Sequence, residues 1–241
     1  MIKANYQKSE PRVLHLDYLL NEFNSFPRKQ SSLIVGVDGC GASGKSTFAH
    51  SLAQICTNIT IVEMDDFYFP SDSRPSNDSV LETYGEQYDW KRIYKQVLKP
   101  ISQNCEGFYQ KYDWNFDTLN EFRTVPTGGI VIVEGIYSTR QELSHLYDFR
   151  IWVQCPYDIR LTRGVARDEV IVAEDEAVVR KGEDPREMWE KIWMPQEQRY
   201  IKAEEPYKVA NLIIDGSGTI EHDPHSQFVS ISRFEYTNEA M

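Results

Sequence analysis

The chain reads as an α/β protein built on a doubly wound, mostly parallel sheet. Three observations predict this. Short apolar runs of strand length alternate with segments of helical periodicity. The first such run, Leu33–Val37, passes through a glycine-rich loop directly into a helical pattern from Lys45 to about Cys56. Several later runs stop abruptly in an acid or an acid followed by a turn, at Asp65-Asp66, Glu134-Gly135 and Asp215-Gly216. Strands that alternate with helices in this way pair in parallel, and the helices cover both faces.

Residues 1–10 are polar, and Pro11 to Phe23 carries Val13, Leu14, Leu16, Leu19, Leu20 and Phe23 mostly at helical spacing, which predicts an amphipathic helix. The helix after the glycine-rich loop turns Phe48, Leu52, Ile55 and Cys56 to one face. Ile59–Met64 is the second strand. Residues 71–88, rich in Ser, Pro, Asn and Asp, form a long loop. A helix from Asp89 to about Leu98 is ended by Pro100. Gly107–Tyr112 and Glu121–Val125 then form a hairpin inserted in the parallel fold. Ile130–Val133 and Phe149–Val153 are buried strands, a charged helical segment runs from Asp158 to about Tyr200, and Asn211–Asp215 is the last strand. This divides the chain into an N-terminal helical extension (1–31), a core domain (32–218, with 158–200 as its lid) and a tail (219–241).

With 241 residues and 41% apolar content, one α/β domain of generous size can build its own core. A formal net charge of −11 and a pI near 5.0 exclude non-specific nucleic-acid binding, because a polyanion would be repelled. Phosphate affinity must therefore come from a local cluster. Cys40, Cys56, Cys105 and Cys155 form no C-x-x-C pair, and free thiols suit a reducing cytosol. The sequence has neither a signal peptide pattern nor an apolar run near 18 residues, so a cytoplasmic protein without a membrane partner is expected.

Gly39-Cys40-Gly41-Ala42-Ser43-Gly44-Lys45-Ser46 has the spacing G-x-x-x-x-G-K-[ST], with Thr47 next. In a strand–loop–helix context this is a phosphate-binding loop. The glycines let successive N–H groups converge on an anion at a helix N-terminus. Lys45 supplies a point charge for the β- and γ-phosphates, and the Ser46 hydroxyl can ligate Mg²⁺. In an open α/β sheet, ligands sit beyond the carboxyl ends of the strands. Asp38, Asp65/Asp66 and Glu134 fall there; one can hold Mg²⁺ through water and another can accept a proton. Arg160, Arg163 and Arg167 recur at i, i+3 and i+7, which puts them on one helix face. That basic stripe reads as a lid that neutralises a transferring phosphoryl group. Arg180 and Lys181 follow it. Tyr112 and Trp114 can stack on a planar substrate. Met188, Trp189, Ile192 and Trp193 read as a packing stripe, and the five histidines show no metal-ligand spacing.

The loop, Asp65-Asp66-Phe67-Tyr68, Tyr112-Asp113-Trp114, Val133-Glu134-Gly135 and Arg160–Asp168 together resemble the uridine kinase family, which groups with phosphoribulokinase and bacterial pantothenate kinase. The resemblance runs from about Leu33 to Gly216. It implies a P-loop kinase fold with five parallel strands, a substrate-side hairpin and a helical lid. It also implies phosphorylation of a nucleoside 5′-hydroxyl using ATP and Mg²⁺. By position Asp65 is the base, Glu134 lies near Mg²⁺, Tyr68 and Tyr112 lie near the substrate, and Arg167 belongs to the lid. Arg163 is counted with the substrate residues.

Asp117 stands where that family has a base-contacting histidine. Glu86 replaces the substrate-loop aspartate, unless that acid is displaced to Asp89, and Lys181-Gly182-Glu183-Asp184 replaces a late lid arginine. The expected partners are ATP and a small-molecule acceptor, and homo-oligomerisation is left open. Two alternatives accompany this reading. One is a kinase for another alcohol, which a carboxylate at 117 suits. The other is a nucleotide-dependent regulator, against which the absence of N-K-x-D counts.

Overall fold

The computed structural model describes residues 8–74, 83–174 and 184–233. Strand β1 (Lys8–His15) leads into α1 (Leu16–Ser25), followed by β2 (Leu33–Asp38), α2 (Lys45–Ile55) and β3 (Ile59–Glu63). Helix α3 has three consecutive pieces: Trp90–Ile93, a π-helical turn Tyr94–Leu98, and Lys99–Ser102. After β4 (Gly107–Asp113), β5 (Thr118–Val125) and β6 (Ile130–Glu134) come the short α4 (Gln141–Ser144), β7 (Phe149–Gln154) and α5 (Tyr157–Glu174). Helix α6 is again three pieces, Pro185–Met188, a π-helical turn Trp189–Trp193 and Met194–Glu204; β8 (Leu212–Asp215) and β9 (Gln227–Arg233) follow.

The main sheet has the order β1-β9-β8-β7-β2-β6-β3. Its five strands β8, β7, β2, β6 and β3 are mutually parallel, as the alternating pattern predicts. Chain order reverses around β2, which lies between β6 and β7, so the loop after β2 opens at a topological switch point. Period-two alternation sorts the apolar side chains of β2. Leu33, Val35 and Val37 meet Leu16, Leu19 and Phe23 of α1 and Phe48 and Leu52 of α2 on one face. Ile34 joins Val131 and Val133 of β6 under Ile93, Val97 and Leu98 of α3 on the other.

Two strands extend the parallel set. β9 pairs antiparallel with β8, and β1 pairs antiparallel with β9. The expected helix from Pro11 therefore begins only at Leu16. Val13 and Leu14 instead pair with Val229 and Phe228, partners more than 200 residues away that local periodicity does not reveal. Stretches read as an extension and a tail thus contribute strands to the same sheet.

Helix α3 also runs through Pro100 rather than ending before it. The π-helical turn just upstream closes with Lys99 N–H on the Tyr94 carbonyl, five residues back, and this wider turn absorbs a residue that has no N–H to give. Pro195 follows a π turn in the same way in α6. The hairpin β4–β5 stands as a separate two-stranded sheet, docked through Tyr109 and Val125 onto the α3 side of the core. The region expected as a lid is described as α5 and α6; residues 175–183, with Arg180 and Lys181, lie outside the described residues.

Candidate active site

A long cleft opens beyond the carboxyl ends of the parallel strands, with the glycine-rich loop on one wall. Gly44, at φ +100°, is the N-cap of α2; this left-handed backbone favours glycine and turns the loop into the helix. Lys45 folds back across the loop, its Nζ donating to the Cys40 carbonyl at 2.8 Å. Gly39 N–H donates to Asp38, Cys40 is buried, and the Ser43 hydroxyl is buried without a hydrogen-bond partner. Gly41, Ala42 and Gly44 to Thr47 line the cleft.

Behind the loop, Ser46 Oγ donates to Glu134 Oε1 at 2.9 Å. Glu134 ends β6 and is buried, and its Oε2 has no hydrogen-bond partner. Burial, opposed by Lys45 and reinforced by the Asp65 carboxylate, pushes its carboxyl up to about 7. A hydroxyl oxygen beside an unsatisfied carboxylate oxygen is a donor set that suits a hard cation such as Mg²⁺. Among the described residues no cluster of three or more His, Cys, Asp or Glu could hold a metal unaided. Mg²⁺ commonly needs only one or two protein ligands when substrate phosphates supply others.

The three strand-end acids have separate fates. Asp38 is fully buried and accepts four hydrogen bonds, from Gly39 N–H (2.7 Å), Thr139 N–H (2.9 Å), Thr139 Oγ1 (2.8 Å) and the Tyr200 hydroxyl (2.7 Å). With Oδ1 on Gly39 and Oδ2 on Thr139 and Tyr200, it fastens the loop's entry to the fold and does not line the cleft. The expectation that Asp38 lies with a ligand beyond the strand ends is corrected accordingly. Asp66 is buried under the hairpin against the Tyr109 hydroxyl (2.8 Å) and Lys111 Nζ (3.1 Å). Asp65, exposed on the 3₁₀ turn Met64–Phe67, faces the cleft and accepts from the Tyr88 hydroxyl at 3.3 Å.

The far end of the cleft is aromatic. Tyr68, Tyr112 and Trp114 sit with ring centroids 4.7–5.6 Å apart, and the Arg74 guanidinium lies 4.6 Å from the Tyr68 centroid. Asp117 stands behind this box. It accepts from the Tyr112 hydroxyl (2.6 Å) and Ser71 N–H (3.1 Å), and Arg74 is 3.5 Å away. Its carboxylate is thereby held below its usual range: burial opposes the shift, but these donors outweigh it. Glu86 faces a separate hollow with Trp90 and Arg140, and Asp89 caps α3 through Arg92 N–H.

The arginine stripe also divides. Arg160 is buried against Glu197. Arg163 reaches the Gly216 and Ser217 carbonyls, each at 2.6 Å, and so holds the loop after β8. Arg167 lines the cleft with its side chain 59% exposed and touches Asp168 at 2.9 Å. Two features escaped sequence reasoning. Residues after β8, among them Thr219, Ile220 and His222, line the same cleft as Thr47 and Phe48. Glu197 of α6 contacts the loop amide of Gly41. Neither segment carries a motif, and both arrive through long-range packing. Trp189, read as packing, is buried as expected and also donates its indole N–H to Asp168. No helix among the described residues is long and apolar enough to cross a membrane.

The chain is similar to known proteins. Over 139 residues the chain is 30% identical to the uridine kinase of Borrelia duttonii, covering 56% of this chain and 66% of that protein. Over 197 residues it is 26% identical to the inorganic pyrophosphatase TTM2 of Arabidopsis thaliana, covering 79% of this chain but only 26% of that protein. The chain thus spans less than two thirds of each relative. A solved structure from Bacillus stearothermophilus, described as a possible uridine kinase, shares the fold with a TM-score of 0.61 and 21% identity, over 82% of this chain and 96% of that one. Residues 34–199 match the family described as Phosphoribulokinase / Uridine kinase, and with that stretch taking in the loop, Asp65, the aromatic box, Glu134 and the arginine helix, the chain belongs to that family.

Proposed function

We propose that the protein transfers the γ-phosphoryl group of ATP to a hydroxyl of a small molecule, with the 5′-hydroxyl of uridine or cytidine as the leading acceptor. The observation that carries this reading is that Asp65 opens onto the same cleft as the phosphate-binding loop, with the aromatic box adjoining it. The loop amides and Lys45 hold the β- and γ-phosphates once Lys45 leaves the Cys40 carbonyl. Ser46 and Glu134 would hold Mg²⁺, which when bound would neutralise phosphate charge. Asp65 orients the acceptor hydroxyl and takes its proton as the oxygen–phosphorus bond forms and ADP departs. Arg167 offsets charge on the transferring group. Tyr68, Tyr112 and Trp114 flank a planar acceptor. In a loose transition state, positioning and neutralisation contribute more than proton removal.

On this reading residues 32–218 are the kinase domain, with 158–200 as its lid region, and the protein works in the cytoplasm. A second reading keeps the chemistry and changes the acceptor to a sugar or a pantothenate-like alcohol. It is favoured by Asp117, which stands where the uridine kinase family has a base-contacting histidine and is engaged by Tyr112, Ser71 and Arg74 behind the aromatic box. ADP release with Mg·ATP across nucleosides, sugars and vitamin alcohols tests both. Stimulation by uridine or cytidine supports the first, and stimulation only by another alcohol supports the second. ATP binding without stimulation by any of them rejects both.

A further inference from the structure

We propose that Glu197 is a positioning residue for the phosphate-binding loop, with Arg160 as its fixed backing. The proposal rests on the reading of that loop as the nucleotide site. Gly41 N–H donates to Glu197 Oε1 at 2.7 Å, although the two are 156 residues apart in the chain. The other carboxylate oxygen takes Arg160 Nη1 at 2.5 Å, and both side chains are buried. Drawing Glu197 away would strand a buried guanidinium, so the group that pins the amide is itself pinned.

Gly41 fits this contact because it has no side chain. A Cβ there would lie 2.7 Å from the Trp189 ring and 2.9 Å from Glu197 Oε1. Trp189 is in turn held by its indole N–H on Asp168 Oδ2 at 2.9 Å. One side of the loop is therefore clamped by α5, through Arg160 and Asp168, and by α6, through Glu197 and Trp189. Only three residues separate Gly41 from Lys45, so the aim of the downstream amides depends on where Gly41 is held. The charge balance fits as well. A bare carboxylate beside the anion site would repel phosphate, and Arg160 cancels it while leaving a strong charge-assisted hydrogen bond to the loop.

The test uses the full chain labelled with ¹⁵N-glycine, titrated with Mg·ADP and followed by amide hydrogen exchange. Glu197→Ala is expected to weaken Mg·ADP binding by about tenfold or more and to remove protection of the Gly41 amide. Glu197→Gln keeps one acceptor oxygen for the Gly41 N–H but turns an NH₂ toward Arg160, so it is expected to weaken Mg·ADP binding less than Glu197→Ala does, with Gly41 still protected. A folded Glu197→Ala protein that binds Mg·ADP as the unmodified chain does overturns the proposal. So does a Glu197→Gln protein that keeps the Gly41 amide protected yet binds Mg·ADP as weakly as the alanine variant, since the amide contact would then not be what matters. If Glu197→Ala does not fold, a Gly41 amide that exchanges freely in the unmodified chain is the overturning result. Failure of the unmodified chain to bind Mg·ADP would instead reject the nucleotide reading, and Gly41 protection would still report on Glu197.

Discussion

Asp65 and Asp66 are adjacent in sequence and face opposite surroundings. Asp65 is exposed to the cleft with the Tyr88 hydroxyl at 3.3 Å, whereas Asp66 is buried between the Tyr109 hydroxyl and Lys111. Identical chemistry thus yields one group open to the cleft and one that anchors the hairpin. Asp65→Asn is expected to lower turnover by about 10²- to 10⁴-fold with ATP affinity nearly unchanged, read by steady-state kinetics and calorimetry. Asp66→Asn is expected to act on stability instead, costing about 1–3 kcal/mol in urea denaturation.

Glu134 separates stability from function. Its folded carboxyl is raised to about 7, so the metal-free protein binds its proton more tightly than the unfolded chain does. The resulting stabilisation is complete below the unfolded value of 4.5 and is lost as pH rises through about 7. Glu134→Gln removes this penalty. In chelator at pH 8 the variant is expected to be more stable than the unmodified chain by about 1–3 kcal/mol, with the gap closing by pH 5. Its Mg²⁺ requirement in the ADP-release assay is expected to rise by about tenfold or more.

Arg163 distinguishes a substrate contact from a structural one. Its guanidinium already serves two carbonyls of the loop after β8, and residues that follow line the same cleft as Thr47. Arg163→Met is expected to raise the KM for ATP by about tenfold while changing the acceptor KM little. The opposite split would return Arg163 to the substrate side.

Asp38 tests the loop's anchorage. Replacing it with alanine leaves four donors facing an empty buried site. The expected cost is about 3 kcal/mol or more, against about 1 kcal/mol for Tyr200→Phe, which removes one of the four bonds; denaturant midpoints measure both.

Much of this was legible from the chain itself. The five parallel strands followed from apolar runs bounded by turns, and the loop followed from a motif whose spacing carries its own mechanism. What stayed hidden depends on distant partners. Residues 12–14 look helical until Phe228 and Val229 offer a strand edge. Arg160, Arg163 and Arg167 do share a helix, yet Glu197, the Gly216–Ser217 carbonyls and Asp168 claim them separately. Asp38 carries the same strand-end signal as Glu134, and only Thr139 and Tyr200 mark it as structural. Periodicity also could not foresee that a π turn would carry α3 through Pro100.

The most direct measurement is mass spectrometry of candidate acceptors after incubation with Mg·ATP and either the unmodified chain or Asp65→Asn. The expected result is an acceptor that gains one phosphoryl group in step with ADP, at a rate the variant lowers by at least about a hundredfold. ADP formed without a phosphorylated acceptor, or equal rates from the two proteins, would contradict phosphoryl transfer directed by Asp65.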